Sequence, residues 1–238
     1  MFVVFFVFGL LLLFSFFFFF FLFCFFFFFF KQKTAYEFRL SLVGSEMCIE
    51  TVLEGIKASS VLSKKLFQID FLSSQRGEIL VSLLYHKQLG DDWLLLADTL
   101  RIELGINIIG RARKQKHVLG MGHIMETLQI RGREYHYQQV ENAFTQPNAS
   151  VNEQMITWAC DSIERFGVGT KPDLLELYCG NGNFTLPLAA QFGKVMATEI
   201  AKSSVNSAYF NLTENGIDNV TIVRLSSEEM TQALAGAR

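Results

Sequence analysis

The stretch Asp173-Leu-Leu-Glu-Leu-Tyr-Cys-Gly-Asn-Gly-Asn-Phe184 decides the fold. Its first six residues, Asp173 to Tyr178, read as a buried strand, and Cys179 to Asn183 is a glycine-bearing turn. Glycines there let the backbone turn sharply and approach a ligand where a Cβ would collide, while a following helix presents unpaired N–H groups. A lone G-x-G fits an ordinary strand-to-helix turn about as well. Glu199 shifts the balance, because it ends the next strand roughly 20 residues on, where a carboxylate can accept hydrogen bonds from ribose hydroxyls.

Working outward, a regular alternation follows. Phe184 to Phe192 reads as a helix, Lys194 to Glu199 as a strand, Ser203 to Asn215 as a helix and Val220 to Arg224 as a strand. Strands alternating with helices of this length predict a parallel, doubly wound sheet. Upstream, Ser150-Val-Asn-Glu153 matches a capping box and opens a helix that runs to Gly167. The turn holds two glycines and no third for a pyrophosphate. That suits a cofactor with one ribose and no phosphates, and points to S-adenosylmethionine over NAD.

Before Glu141 the pattern changes. Leu66 to Leu72 and Glu78 to Tyr85 read as neighbouring antiparallel strands around a turn-rich gap, and Asp92 to Leu104 as a helix ended by Gly105. Ile106 to Ile109 is a further strand. Residues 50–140 therefore form a small α+β unit, and residues 141–238 the first part of a Rossmann-like unit.

The averages of the 238-residue chain hide an unusual start. Its 50% hydrophobic content and 26 phenylalanines are inflated by Met1 to Phe30, a run without a charge that contains Phe16 to Phe21 and Phe25 to Phe30. The run is long enough to cross a bilayer, yet natural spans mix aliphatic residues and carry interfacial aromatics. It also lacks a basic n-region and a small-residue cleavage site. Lys31 to Glu37 and Leu42 to Ile49 resemble the translated constant parts of a sequencing-library adapter. On that reading residues 1–49 are non-native and stand outside the fold. Of four cysteines, Cys160 and Cys179 remain, with no metal-ligand spacing, so no metal site is expected. A net charge of −2 leaves nucleic-acid binding to a local basic face.

Leu175 to Phe184, with Phe144-Thr-Gln-Pro-Asn148 upstream and Ala197-Thr-Glu-Ile200 downstream, resembles the bacterial tRNA uracil-5-methyltransferases from about Lys65 to Arg238. The resemblance implies an α/β fold: an incomplete Rossmann-like S-adenosylmethionine-dependent methyltransferase domain preceded by a small α+β RNA-facing domain. It implies a cytoplasmic enzyme with tRNA as partner, and cofactor contacts at Gln146, Tyr178, Gly180, Gly182, Asn183 and Glu199. It also implies the chemistry, in which a cysteine adds to C6 of uracil, C5 takes the methyl group and a base removes the C5 proton. In the family those two residues follow the third strand, so none is assigned within this chain and methyl transfer by it is not expected. Cys179, inside the turn, reads as packing. An open sheet edge and poor solubility are further expectations.

For RNA, Arg111-Ala-Arg-Lys-Gln-Lys-His117 offers Arg111, Arg113, Lys114 and Lys116, either as phosphate contacts or as a solvated loop. Phe67 matches a family aromatic that stacks on bases, and its apolar context fits a core position equally. His86 suits either surface or RNA. Methylation of ribosomal RNA, and a membrane-anchored nucleotide-binding protein without catalysis, stand as the alternatives.

Overall fold

The structure, a computed structural model, describes residues 2–6, 43–165 and 171–236. Residues 7–42, which hold most of the Phe tract and of the adapter-like stretch, lie outside the described residues. The strands are β1 (Phe2–Phe6), β2 (Leu66–Ser73), β3 (Ile79–Tyr85), β4 (Asn107–Ala112), β5 (Gln115–Leu119), β6 (His123–Ile130), β7 (Arg133–Val140), β8 (Asp173–Leu177), β9 (Val195–Thr198) and β10 (Val220–Val223).

The first sheet has the order β2-β3-β4-β5. β2 and β3 are antiparallel, as their sequence suggested, and β3 and β4 are parallel across the helix Asp91–Leu104. That helix buries Trp93, Ala97 and Leu100 against the sheet and ends at Gly105, whose φ of 65° lets its N–H reach the Arg101 and Ile102 carbonyls. β3 is buried along nearly its whole length because the helices Val43–Ala58 and Asp91–Leu104 share a core with it. The basic run is not a loop. Arg111 and Ala112 end β4, Gln115 to Leu119 form β5, and the turn between them places Lys114 at φ 60°. Along β5 the burial alternates, with Gln115, His117 and Leu119 half-buried and Lys116 and Val118 exposed, a strand period that the polar composition of the run obscured.

Glu141 ties this hairpin to the chain beyond β7. Its carboxylate accepts two hydrogen bonds from Arg111, at 2.9 and 2.6 Å, and pairs with Lys116. Burial raises the Glu141 pKa, but the bonds from Arg111 and Lys116 outweigh it and hold the carboxyl down at about 2. A lowered folded pKa means stability that is present above about pH 4.5 and lost as the pH falls toward 2. Glu141→Gln is expected to cost about 1–2 kcal/mol at pH 7, the low end for charge-assisted bonds because both cations keep over a third of their side chains in water. Urea denaturation at pH 7 and pH 2.5 checks this, since the difference must shrink at the lower pH.

The second sheet is parallel throughout, in the order β1-β8-β9-β10. The alternation read from the sequence produced it: β8, β9 and β10 are joined by the short helix Thr185–Leu188 with its 3₁₀ extension Ala189–Gln191, and by the helix Lys202–Glu214. Two further differences from the sequence reading concern edges and caps. Phe2–Phe6 runs in register along Asp173–Leu177, so the edge of β8 is paired and not open. An edge with free N–H and C=O groups accepts an extended apolar segment whatever its origin. The helix Ala149–Arg165 is capped by Asn148, whose Oδ1 accepts from Val151 N at 3.0 Å, instead of by Ser150, and Glu153 accepts from Gln129 N. A helix Ser227–Gly236 follows β10, and its Met230 packs with Leu175 and Leu177.

The antiparallel hairpin β6–β7 was missed as strands in the sequence. Leu128, Ile130, Tyr135 and Tyr137 point into the same core as Ile156, Leu174, Phe184 and Leu186, so the hairpin packs with the parallel sheet. The outer edge of β7 is met by a helix: Asn211 Oδ1 accepts from Gln138 N at 2.7 Å, while Asn215 accepts from His136 N and donates to His136 O. Among the described residues no helix is long and apolar enough to cross a membrane.

Candidate cofactor and nucleic-acid site

The glycine turn lies at the carboxyl end of β8, the position where open parallel sheets bind ligands. Three alternate residues with left-handed backbone shape it. Tyr178 sits at φ 60°, Gly180 at φ 59° and Gly182 at φ 88°. A bulky residue in the left-handed region is held there only by its surroundings, and such strain gathers at binding sites. Here Cys179 N donates to Thr198 O at 3.0 Å and Gly182 N to Cys179 O at 2.9 Å, so the chain reverses within four residues. Tyr178 keeps 41% of its surface exposed. At Gly182 a Cβ would collide with Leu186, whereas at Gly180 it would meet no atom within 4 Å. The second glycine is thus demanded by the fold, and the first leaves open space above the turn.

Glu199 faces that space from the end of β9. Its Oε2 accepts from Gly180 N at 3.0 Å, and its Oε1 from Ile200 N and Ala201 N, both at 2.8 Å. The carboxylate is therefore fixed by three backbone donors and retains lone pairs for a further acceptor role. The helix that follows the turn is a single α-turn with a 3₁₀ extension, so the turn's own backbone, and not a long helix terminus, frames the site.

Asn183 lies within the same turn. Its side-chain amide is paired reciprocally with that of Asn152, at 2.8 and 2.9 Å, which leaves one donor and one acceptor position on it. Gln146 lies half-buried in the segment between β7 and the helix Ala149–Arg165. Cys179 is buried, and burial raises its thiol far above the ordinary range, with Glu176 and Glu199 adding to the effect. Glu176, also on β8 and below the turn, was not singled out by sequence reasoning. It is fully buried, neither carboxylate oxygen has a partner among the described residues, and burial lifts its pKa to about 7. An acidic residue within an apolar strand was the available signal.

The candidate RNA residues gather on the first sheet. Phe67 is half exposed and stacks on His86, with ring centroids 4.0 Å apart and planes 16° from parallel. The two rings line an open groove of about 500 Å³ with Lys87, Gln88, Arg111 and Arg113. Of the four basic residues read from the sequence, Arg111 and Lys116 are committed to Glu141, and Arg113 and Lys114 are exposed. No group of three or more His, Cys, Asp or Glu that could hold a metal exists among the described residues.

Residues 24–238 match the model of the tRNA (Uracil-5-)-methyltransferase family. The chain belongs to that family. Among the curated relatives of this chain, the tRNA/tmRNA (uracil-C(5))-methyltransferase of Psychromonas ingrahamii is 52% identical over 216 residues, covering 87% of this chain and 58% of the relative. That of Pseudoalteromonas translucida is 53% identical over 201 residues, covering 83% and 53%. The chain thus spans little more than half the length of the curated relatives it matches. Among solved structures, the Pyrococcus abyssi tRNA (uracil-54, C5)-methyltransferase in complex with S-adenosyl-L-homocysteine aligns with a TM-score of 0.54 at 17% identity, covering 74% of this chain and 45% of that one. That likeness shows a shared α/β fold.

Proposed function

We propose that this chain supplies the S-adenosylmethionine-binding and RNA-facing parts of an enzyme that methylates uracil C5 in the T-loop of tRNA. The observation that carries the reading is the left-handed turn Tyr178 to Gly182 with the Glu199 carboxylate pinned to its first glycine, in a chain half identical to uracil-C5-methyltransferases. The residues present fit the cofactor. Glu199 would hold the ribose hydroxyls, Tyr178 would pack on the ligand, Gly180 and Gly182 would admit it, and Asn183 and Gln146 would offer amide groups. S-adenosylmethionine supplies the methyl group when bound. The protein's part is to orient it and exclude water.

On the RNA side, the Phe67–His86 stack is a platform for an unpaired base, and Arg113 and Lys114 are the cations free of Glu141 that would meet phosphates. The relatives' names, which specify tRNA and tmRNA, favour a tRNA target over ribosomal RNA. Such an enzyme works in the cytoplasm.

Neither Cys160 nor Cys179 is suited to be the nucleophile. Burial raises Cys160 to about 11 and Cys179 further, so both remain thiols at neutral pH. The chain is expected to bind S-adenosylhomocysteine and a T-arm hairpin without transferring a methyl group. Calorimetry, gel shift and incorporation of labelled methyl into tRNA test the three parts. Phe67→Ala should weaken T-arm binding by about 1–3 kcal/mol while leaving S-adenosylhomocysteine affinity unchanged. Unchanged RNA affinity would remove Phe67 from the reading, and absence of S-adenosylhomocysteine binding would remove the cofactor.

A further inference from the structure

Asn152 is buried in the first turn of the helix Ala149–Arg165 and makes contacts in two directions. Its main-chain N–H makes the first i→i−4 bond of that helix, to Asn148 O at 2.9 Å, and Asn148 follows Gln146 by two residues. Its side chain makes the reciprocal amide pair with Asn183 in the glycine turn, 31 residues away in sequence. The Asn183 carbonyl is held independently by the Tyr137 hydroxyl, which donates to it at 3.0 Å. The turn is thus anchored to the hairpin through its backbone and to the Gln146 segment through Asn152.

We propose that Asn152 is a positioning residue that sets the distance between the Gln146 segment and the glycine turn, so that the two ends of S-adenosylmethionine reach their binding groups together. The proposal rests on the reading of this turn as an S-adenosylmethionine site. The amide pair is suited to the task because each asparagine donates once and accepts once, which fixes both side chains in one plane. Aspartate at this position keeps the acceptor and loses the donor, and alanine loses both. Pairing also removes Asn183's freedom to rotate, so the group it offers a ligand is preorganised.

The role separates from a merely structural one by comparing two ligands. S-adenosylhomocysteine spans both ends of the site, whereas adenosine engages the Glu199 end alone. In the 238-residue chain, Asn152→Ala is expected to weaken S-adenosylhomocysteine about tenfold or more and adenosine by less than about threefold, measured by calorimetry alongside thermal unfolding. Asn152→Asp, which preserves size and one of the two bonds, should give an intermediate loss for S-adenosylhomocysteine, and it decides the matter should the alanine variant not fold. Equal losses for the two ligands, or no loss, would overturn the proposal. If the unsubstituted chain binds neither ligand, the site reading itself has failed and this proposal falls with it. A failure of the positioning role alone is recognised by a normal response of the unsubstituted chain.

Discussion

Glu176→Gln is expected to stabilise the protein by about 2–3 kcal/mol at pH 8 and to leave it nearly unchanged at pH 4.5. The side chain is fully buried on β8, where burial favours the uncharged acid and the neighbouring Thr185 offsets only part of that effect. A folded pKa raised from 4.5 to about 7 gives stability that is fully present below the unfolded value and is lost as the pH rises through the folded one. Between those limits the unfolded chain releases its proton while the folded chain retains it, a difference worth about 3 kcal/mol once both are complete. Glutamine keeps the shape and cannot ionise. The unsubstituted protein should therefore lose stability from pH 5 to 8, and the variant should not. Chemical denaturation across that range provides the measurement, and two parallel pH profiles would show that Glu176 is paired in solution.

The second large effect contrasts two glycines two residues apart. Gly180→Ala should fold with a cost of about 1 kcal/mol, the penalty of a left-handed φ on a residue with a Cβ, since its methyl meets nothing within 4 Å. For a chain of this size that is a fall of about 2–4 °C in the unfolding midpoint. The same methyl would project into the space where the cofactor is proposed to lie, and S-adenosylhomocysteine binding should fall by more than about tenfold. Gly182→Ala reverses the order of damage. There the Cβ collides with Leu186 at a φ of 88°, in a region that alanine tolerates less well, so stability should fall by about 2–4 kcal/mol, with loss of binding as a consequence. Calorimetry and thermal unfolding on both variants separate the cases. A Gly180→Ala protein that binds S-adenosylhomocysteine normally would refute the placement of the ligand above the turn.

Much of this was legible in the sequence because the signals were local. A short leucine-rich strand followed by two glycines and, roughly 20 residues later, an acidic strand end constrains β8, its turn and β9 through backbone geometry alone. The helix Asp91–Leu104 announced itself through its spacing and Gly105. The hairpin β6–β7 did not, because Gln129, Arg133, Glu134 and Gln138 dilute the apolar alternation and its partners lie far along the chain. Charge hid β5 in the same way. Long-range pairing was equally invisible: nothing in a solvated-looking basic run discloses that Glu141 claims Arg111 and Lys116, or that Asn152 occupies the amide of Asn183. Nor could the sequence show which apolar segment lies along β8.

The edge of β7 has a consequence for how this chain behaves among its copies. A strand at the margin of a sheet normally invites another chain to zip onto it, yet Asn211 and Asn215, one helical turn apart, present amides at the spacing of alternate strand residues and occupy His136 and Gln138. The helix counterfeits a neighbouring strand. Because it is covalently part of the same molecule, the imitation is always at hand, and strand exchange at this margin is forestalled before a second copy can arrive. Asn215 uses both halves of its amide on His136, a pairing aspartate could not complete, while Asn211 accepts from Gln138 N and turns its own side-chain N–H to Asn181 O.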